Sequence, residues 1–151
     1  MEAHPAGTVP VDYDELSADS IQRGREHTRE IARLLETEGF QVRTEVEVNP
    51  YLDARADLLA FREGGPSVVV EIRELPPTAR VLVDTVQQVQ HMTRLVEEWR
   101  KAPVVGLLVS NGRFTSLAED YAARCTPRVY LAALDRVRDV VSRIVHEWQS
   151  S

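Results

Sequence analysis

The chain has very little of what several protein classes require. It has one cysteine and one lysine among 151 residues, and aromatic residues make up 6% of it. The single cysteine, Cys125, excludes an internal disulfide and cannot build a thiolate metal site alone. No apolar run approaches the ~20 residues of a membrane helix, and residues 1–20 lack the basic start and apolar stretch of a secretion signal. We therefore expect a soluble, cytoplasmic protein with no membrane contact.

The charge balance bears on possible partners. The net charge is −6, which argues mildly against a domain that coats nucleic acid by bulk electrostatics, because phosphate binding normally uses a basic face. It does not exclude chemistry on DNA, since carboxylates that bind a metal ion also add negative charge. Lys101 is the only lysine beside many arginines, which we interpret as a genome composition bias.

The length and composition fit one globular domain. Hydrophobic residues make up 43% of the chain and charged residues 28%, as in folded domains of this size. Residues 1–16 contain prolines, a glycine and acids without any period, so we expect a flexible N-terminal arm. Residues 17–151 are expected to form the single domain.

The hydrophobic pattern predicts an alternation of helices and strands. A helix is expected after the capping residues Asp19 and Ser20, with Gly39 at its C-terminal end. Glycines 64 and 65 separate two strand-like runs and predict a hairpin. The predicted helices are residues 21–38, 84–100 and 116–123 and a closing helix from residue 134. A capping box at Ser116 and Glu119 opens the third of these helices. The predicted strands are residues 40–48, 56–61, 67–73, 104–109 and 128–131.

This order of elements predicts an α/β fold with a mixed central sheet. Three strands follow one another directly as a meander, and helix crossovers then lead to the later strands. Residues 104–109 are apolar throughout, as expected for a strand covered on both sides. Helices should therefore cover both faces of the sheet.

Two carboxylates interrupt neighbouring apolar strands. Asp57 lies in one predicted strand and Glu71 in the next. A carboxylate within a buried strand is costly unless it is paired or binds a metal. If the hairpin pairs these strands, both carboxylates and the backbone carbonyl of Ile72 would form an oxygen site suited to Mg²⁺. Arg73 projects to the same face as Glu71 and could orient the nucleophile or offset charge in the transition state.

The residues Asp57 and Glu71-Ile72-Arg73 resemble the PD-(D/E)XK nuclease motif. The segment Val-Val-Gly-Leu-Leu-Val-Ser-Asn-Gly-Arg-Phe-Thr-Ser-Leu-Ala-Glu at residues 104–119 is similar to the corresponding part of Mrr-type restriction endonucleases. The strand Arg-Val-Tyr-Leu at residues 128–131 fits the next element of that family. The resemblance covers roughly residues 24–138.

The resemblance implies a restriction-endonuclease-like fold and Mg²⁺- or Mn²⁺-dependent hydrolysis of phosphodiester bonds in DNA, often in genome defence. By position, Asp57 and Glu71 would bind the metal and Arg73 would stand where the family has its catalytic lysine. Gln87 or Gln90 would match the polar residue that members often place near the site. A dimer or a partner protein would then supply sequence specificity.

Two alternatives stay open at this point. Asp57 and Glu71 could simply form strand-end salt bridges with arginines such as Arg55 or Arg73. The chain could also be an inactive nuclease-fold module for binding DNA or protein and for assembly, because arginine does not readily deprotonate as lysine can.

The first helix offers only Glu26 or Glu30 as the glutamate that the family often places there.

Overall fold

A five-stranded sheet between two layers of helices organises the protein. The computed structural model describes the backbone of residues 13–49 and 54–150 and the side chains of residues 24–44 and 55–150. The helices are α1 (Tyr13–Thr37), α2 (Val83–Arg100), α3 (Ser116–Arg124) and α4 (Val137–Gln149), with a 3₁₀ turn at Leu134–Arg136. The strands are β1 (Gln41–Asn49), β2 (Ala54–Phe61), β3 (Ser67–Arg73), β4 (Arg80–Val81), β5 (Val104–Ser110), β6 (Arg113–Phe114) and β7 (Val129–Ala133).

The sheet is mixed, as predicted. Its strand order is β1-β2-β3-β5-β7. The first two pairs are antiparallel, which confirms the meander and the hairpin between β2 and β3. The other two pairs, β3 with β5 and β5 with β7, are parallel, and α2 and α3 provide the crossovers that parallel neighbours require. β4 and β6 form a separate two-stranded parallel sheet.

Helices cover both faces of the sheet, which confirms the predicted α/β architecture. One core joins α1 and α4 to the sheet face that carries Leu107. On the opposite face, one cluster joins α2 and α3 to Leu108, and a further cluster packs α2 against β2 and β3. Both leucines are fully buried, as expected for a strand covered on both sides. Gly106 lets α2 approach β5 closely, since an added Cβ would lie 2.8 Å from the hydroxyl of Thr93.

Several predicted boundaries differ from the observed ones. Helix α1 begins at Tyr13 rather than after Asp19 and Ser20, so residues 13–16 of the predicted arm belong to the helix. Residues 1–12 of that arm lie outside the described part of the chain. Gly39 follows α1 with a φ of 92°, which confirms its predicted capping role.

The predicted capping box at Ser116 is wrong by one residue. Thr115 is the N-cap of α3, and its hydroxyl accepts a hydrogen bond of 3.1 Å from the Ala118 amide. Its extended backbone lets it end β6 and begin the helix directly. None of the helices in the described ranges combines the length and apolar character needed to cross a bilayer.

Candidate active site

The antiparallel ladder between β2 and β3 opens near one end of the hairpin. Register partners run from Ala60 opposite Val68 to Leu58 opposite Val70, and none follows in the described strands. The next residues along each strand are Asp57 and Glu71. The two carboxylates therefore stand where the strands separate.

Beyond the last register pair, side-chain carboxylates accept hydrogen bonds from the backbone amides of the two strands. The Ile72 amide donates to Oδ2 of Asp57 at 2.8 Å, and the Asp57 amide donates to Oε1 of Glu71 at 3.2 Å. In a strand, the N–H and C=O of one residue point toward the same neighbour. The Ile72 carbonyl is therefore directed toward β2, the side on which its amide meets Asp57.

Glu71 is a buried acid in a strongly perturbed environment. It is 3% exposed, and Arg73 donates to its Oε2 at 2.9 Å. Burial, and next the Asp57 carboxylate, raise the pKa of Glu71 from 4.5 to about 7, although the Arg73 guanidinium lowers it. The negative charges of Asp57 and Glu71 disfavour each other, which is the condition that a shared cation would relieve.

Two cavities flank this opening. The larger, the α1 cleft, has a volume of about 1230 Å³ and is lined by Asp57, Ile72, one face of α1 and the loop after β3. The smaller, the α2 cavity, has a volume of about 500 Å³ and is lined by Glu71, Arg73 and residues of α2. The two carboxylates meet at the strand opening, but each borders a different cavity.

The turn after β5 holds the segment that leaves β3. Ser110 donates to the Arg73 carbonyl at 2.7 Å. Asn111 accepts from the Leu75 amide at 2.8 Å and donates to the Leu75 carbonyl at 3.0 Å. Gly112 packs so closely that an added Cβ would lie 2.9 Å from the Leu75 side chain. The Ser-Asn-Gly motif therefore fixes the rim of the α1 cleft, which Asn111 itself helps to line.

A restriction endonuclease family model, Mrr_cat, matches residues 21–141. That is most of the chain, and it includes the strand opening and the turn after β5. The chain belongs to this Mrr-type restriction endonuclease family. No curated protein matches it.

Solved structures with this fold include known endonucleases. A protein of unknown function is similar with a TM-score of 0.63 and 19% identity over 84% of this chain. A repair endonuclease from Pyrococcus abyssi has a TM-score of 0.52 and 17% identity over 85%. The small subunit of the heterodimeric restriction endonuclease R.BspD6I has a TM-score of 0.51 and 10% identity over 84%. At these identities the likeness shows the fold alone.

The Mrr-type chain is shorter than these structures. It spans 66% of the protein of unknown function, 48% of the repair endonuclease and 80% of the restriction endonuclease subunit.

The two glutamines predicted near the Mrr-type site have different surroundings. Gln87 lines the α2 cavity with Glu71 and Arg73. Gln90 donates to the Thr126 carbonyl at 2.9 Å and accepts a short hydrogen bond from the Tyr121 hydroxyl. Gln90 thus joins α2 to α3 and to the loop that follows α3.

The first helix contributes a residue that the sequence did not single out. The α1 residues that line the cleft are Gly24, Arg25, His27, Thr28 and Arg29, so neither Glu26 nor Glu30 is among them. His27 contacts Glu74, the first residue after β3, with 2.5 Å between Nδ1 and Oε1. No sequence motif connects a helix residue with a loop residue so distant in the chain, so the sequence pattern could not predict this contact.

The donor chemistry at the strand opening fits a hard divalent cation. In the described ranges no three histidine, cysteine or acidic side chains cluster to hold a metal, so the available set is two carboxylates and the Ile72 carbonyl. Oxygen ligands of this kind suit Mg²⁺ and Mn²⁺. Burial and the neighbouring Asp57 carboxylate, which together raise the pKa of Glu71, are consistent with a position that a cation would stabilise.

Proposed function

We propose that the protein is a divalent-metal-dependent DNA endonuclease that hydrolyses phosphodiester bonds. In this proposal Asp57, Glu71 and the Ile72 carbonyl hold Mg²⁺ or Mn²⁺. The observation that carries it is the strand opening, where two acidic side chains meet beside a carbonyl directed toward them. The family match over most of the chain supports the same activity.

Each residue at the opening has a separate role in this proposal. The ion, when bound, supplies Lewis-acid stabilisation of the charge that develops on the phosphate. Asp57 and Glu71 supply its negative ligands and lose their mutual repulsion. The Arg73 side chain is 39% exposed, so its guanidinium can also reach a phosphate oxygen in the α2 cavity and stabilise transition-state charge. Gln87 would position a polar group of the substrate there.

The α1 cleft is the proposed path for DNA. Arg25 and Arg29 line its helical wall, so phosphate groups meet positive charge there although the whole chain carries −6. Specificity for a DNA sequence would come from a homodimer or a partner protein. Cytoplasmic residence and a role in genome defence belong to the same proposal.

A cleavage assay tests this function. The full chain is incubated with supercoiled, linear and single-stranded DNA in Mg²⁺ or Mn²⁺, and nicked and linear products are quantified. We expect metal-dependent products from the native chain and none from Asp57→Ala. Glu98→Ala, on the exposed part of α2, serves as the matched control and should cleave normally.

One observation favours a second candidate, an inactive nuclease-fold module that binds DNA or protein. Both oxygens of Glu71 already have protein partners, the Asp57 amide and Arg73, as a structural salt bridge would. Isothermal titration distinguishes the candidates, since an inactive module would bind neither Mg²⁺ nor Mn²⁺ at millimolar concentration. DNA cleavage by Arg73→Lys alone, with none by the native chain, would also favour the module.

A further inference from the structure

The side chains of His27 and Glu74 are in contact inside the α1 cleft. Nδ1 of His27 lies 2.5 Å from Oε1 of Glu74, and the side chains are 27% and 22% exposed. The ring N–H does not point directly at the oxygen, so the contact falls short of an aligned hydrogen bond. Catalytic hydrogen bonds are often misaligned without substrate and tighten in the complex.

Arg73, the residue before Glu74 in sequence, lacks one capability of lysine. Arg73 keeps the positive charge, but a guanidinium stays protonated in proteins and cannot accept a proton. Its Nη1 is also engaged with Glu71 at 2.9 Å. Among the residues that line the α1 cleft, His27 is the side chain with an imidazole nitrogen, the group that most often serves as a general base.

We propose that His27 accepts the proton of the attacking water and that Glu74 positions its imidazole. The proposal rests on the proposed endonuclease function. Once the contact of Glu74 with Nδ1 aligns, Nδ1 becomes the protonated nitrogen of the neutral ring, and Nε2 is left as the acceptor. A carboxylate that fixes the tautomer of a histidine base is a recurring arrangement in hydrolytic enzymes.

The proposed step balances as follows. The water oxygen forms a new bond to phosphorus while the bond from phosphorus to the leaving deoxyribose oxygen breaks. The water proton passes to Nε2 of His27, and the leaving oxygen takes a proton from solvent. His27 then releases its proton to solvent, so the net reaction is the hydrolysis of one diester to a monoester and an alcohol.

The other charged groups of the cleft are compatible with this role. Arg25 and Arg29 lie on α1 with His27, while Asp57 lies on β2 and Glu74 follows β3. The two arginines are placed to hold phosphate groups, and the two carboxylates stabilise the imidazolium formed after proton transfer. The cleft thus holds the charges needed to orient a substrate beside His27.

Nitrogen NMR of the imidazole tests the arrangement without any metal or substrate. We expect His27 in the full native chain to show the neutral tautomer protonated at Nδ1. Glu74→Gln should remove this preference, because an amide can donate as well as accept. A native ring protonated at Nε2 would overturn the proposal, since Nε2 could not then act as the base.

Cleavage kinetics test the chemical role. Loss of a general base typically lowers the rate by about 10²–10⁴-fold, so His27→Gln should lower kcat by about 100-fold or more with little change in KM. Glu74→Gln should lower kcat by roughly 10-fold through the tautomer. His146→Gln, an exposed histidine of α4, is the matched control.

The outcomes separate this inference from the proposed function. If the native chain cleaves DNA and His27→Gln cleaves it with the same kcat, His27 is not the base and the endonuclease function stands. If the native chain cleaves no DNA in any metal, both proposals are rejected. Metal binding measured on His27→Gln should match the native value, because His27 is not a proposed ligand.

Discussion

The α1 cleft and the α2 cavity meet at the same strand opening but differ in size and chemistry. The cleft is wide and is lined by two arginines, His27 and Asp57, so it can admit a charged polymer. The cavity is less than half as large and presents Glu71, Arg73 and Gln87. In the proposed mechanism, DNA lies along the α1 cleft, and Arg73 and Gln87 reach its reacting phosphate from the α2 cavity.

A strand pair that loses its ladder makes this arrangement possible. In a paired strand the pleat sends alternate side chains to opposite faces of the sheet, so that groups on the two faces do not meet. Where the ladder ends after Leu58 and Val70, Asp57 and Glu71 reach across the gap instead. Groups from the two faces can then act on one position.

The largest expected effect comes from neutralising the acid that borders the α2 cavity. Glu71→Gln keeps the shape and the hydrogen bond from Asp57 but removes the negative ligand. We expect cleavage to fall at least about 1000-fold, which is on the order of 4 kcal/mol in the barrier. Single-turnover rates on plasmid DNA measure it, and a loss below 10-fold would mean that Glu71 is only a structural ion-pair partner.

A substitution at the rim of the α1 cleft should lower the stability of the folded protein. Asn111→Ala removes both hydrogen bonds to Leu75, at a cost of about 1–2 kcal/mol. For a domain of this size, thermal unfolding should shift down by roughly 2–6 °C. Ser116→Ala is a suitable control, because Thr115 and not Ser116 caps α3. Equal shifts in both variants would contradict the role of Asn111.

The two glutamines of α2 provide a paired comparison. Gln87→Ala should lower cleavage by roughly 10-fold and leave stability unchanged, because Gln87 borders the α2 cavity. Gln90→Ala should leave the chemistry intact and cost about 1 kcal/mol, because it loses its bonds to Tyr121 and Thr126. Cleavage rates and the free energy of unfolding in denaturant, measured on both variants, check this. A loss of stability in Gln87→Ala and a loss of cleavage in Gln90→Ala would contradict the assignment.

The smallest effect concerns pH. Because the pKa of Glu71 is raised from 4.5 to about 7, the folded state binds more protons than the unfolded state between these values. The metal-free protein should therefore lose stability as pH rises through that window. Mn²⁺ binds the ionised form, so its stabilisation should be larger near about pH 8 than near about pH 5.5, by a few degrees in Tm.

Glu71→Gln is the control for the pH experiment. It should lose both the fall in metal-free stability and the pH dependence of the Mn²⁺ effect. If native and variant proteins gave the same profiles, the pH dependence would arise from a group other than Glu71. Glu147 is not such a group in this window, because the Tyr130 hydroxyl and Arg128 lower its pKa. That group stabilises the fold above its ordinary pKa and would lose this contribution only in acid.

The sequence predicted the sheet well and placed both acids on neighbouring strands, for a physical reason. β3 has the predicted bounds because its β-branched run suits a buried strand. Asp57 and Glu71 were identifiable because a carboxylate in such a run requires compensation. The division into two cavities was not predictable, because it depends on where the ladder opens.

Other features depend on contacts that local patterns do not encode. β4 and β6 have two residues each, which is too short for an alternating pattern. The contact of His27 with Glu74 joins a helix to a distant loop and exists only once α1 packs on the sheet. Thr115 and Ser116 are equally good N-cap residues by sequence, and only the backbone conformation at each determines which of them begins α3.

A structure of the full chain with Mn²⁺ tests the central claim most directly. We predict one anomalous peak at the strand opening, at about 2.0–2.3 Å from a carboxylate oxygen of Asp57, a carboxylate oxygen of Glu71 and the Ile72 carbonyl. The Glu71 to Arg73 contact should lengthen as the ion takes its place. No peak at millimolar Mn²⁺, with that ion pair intact, would contradict the account.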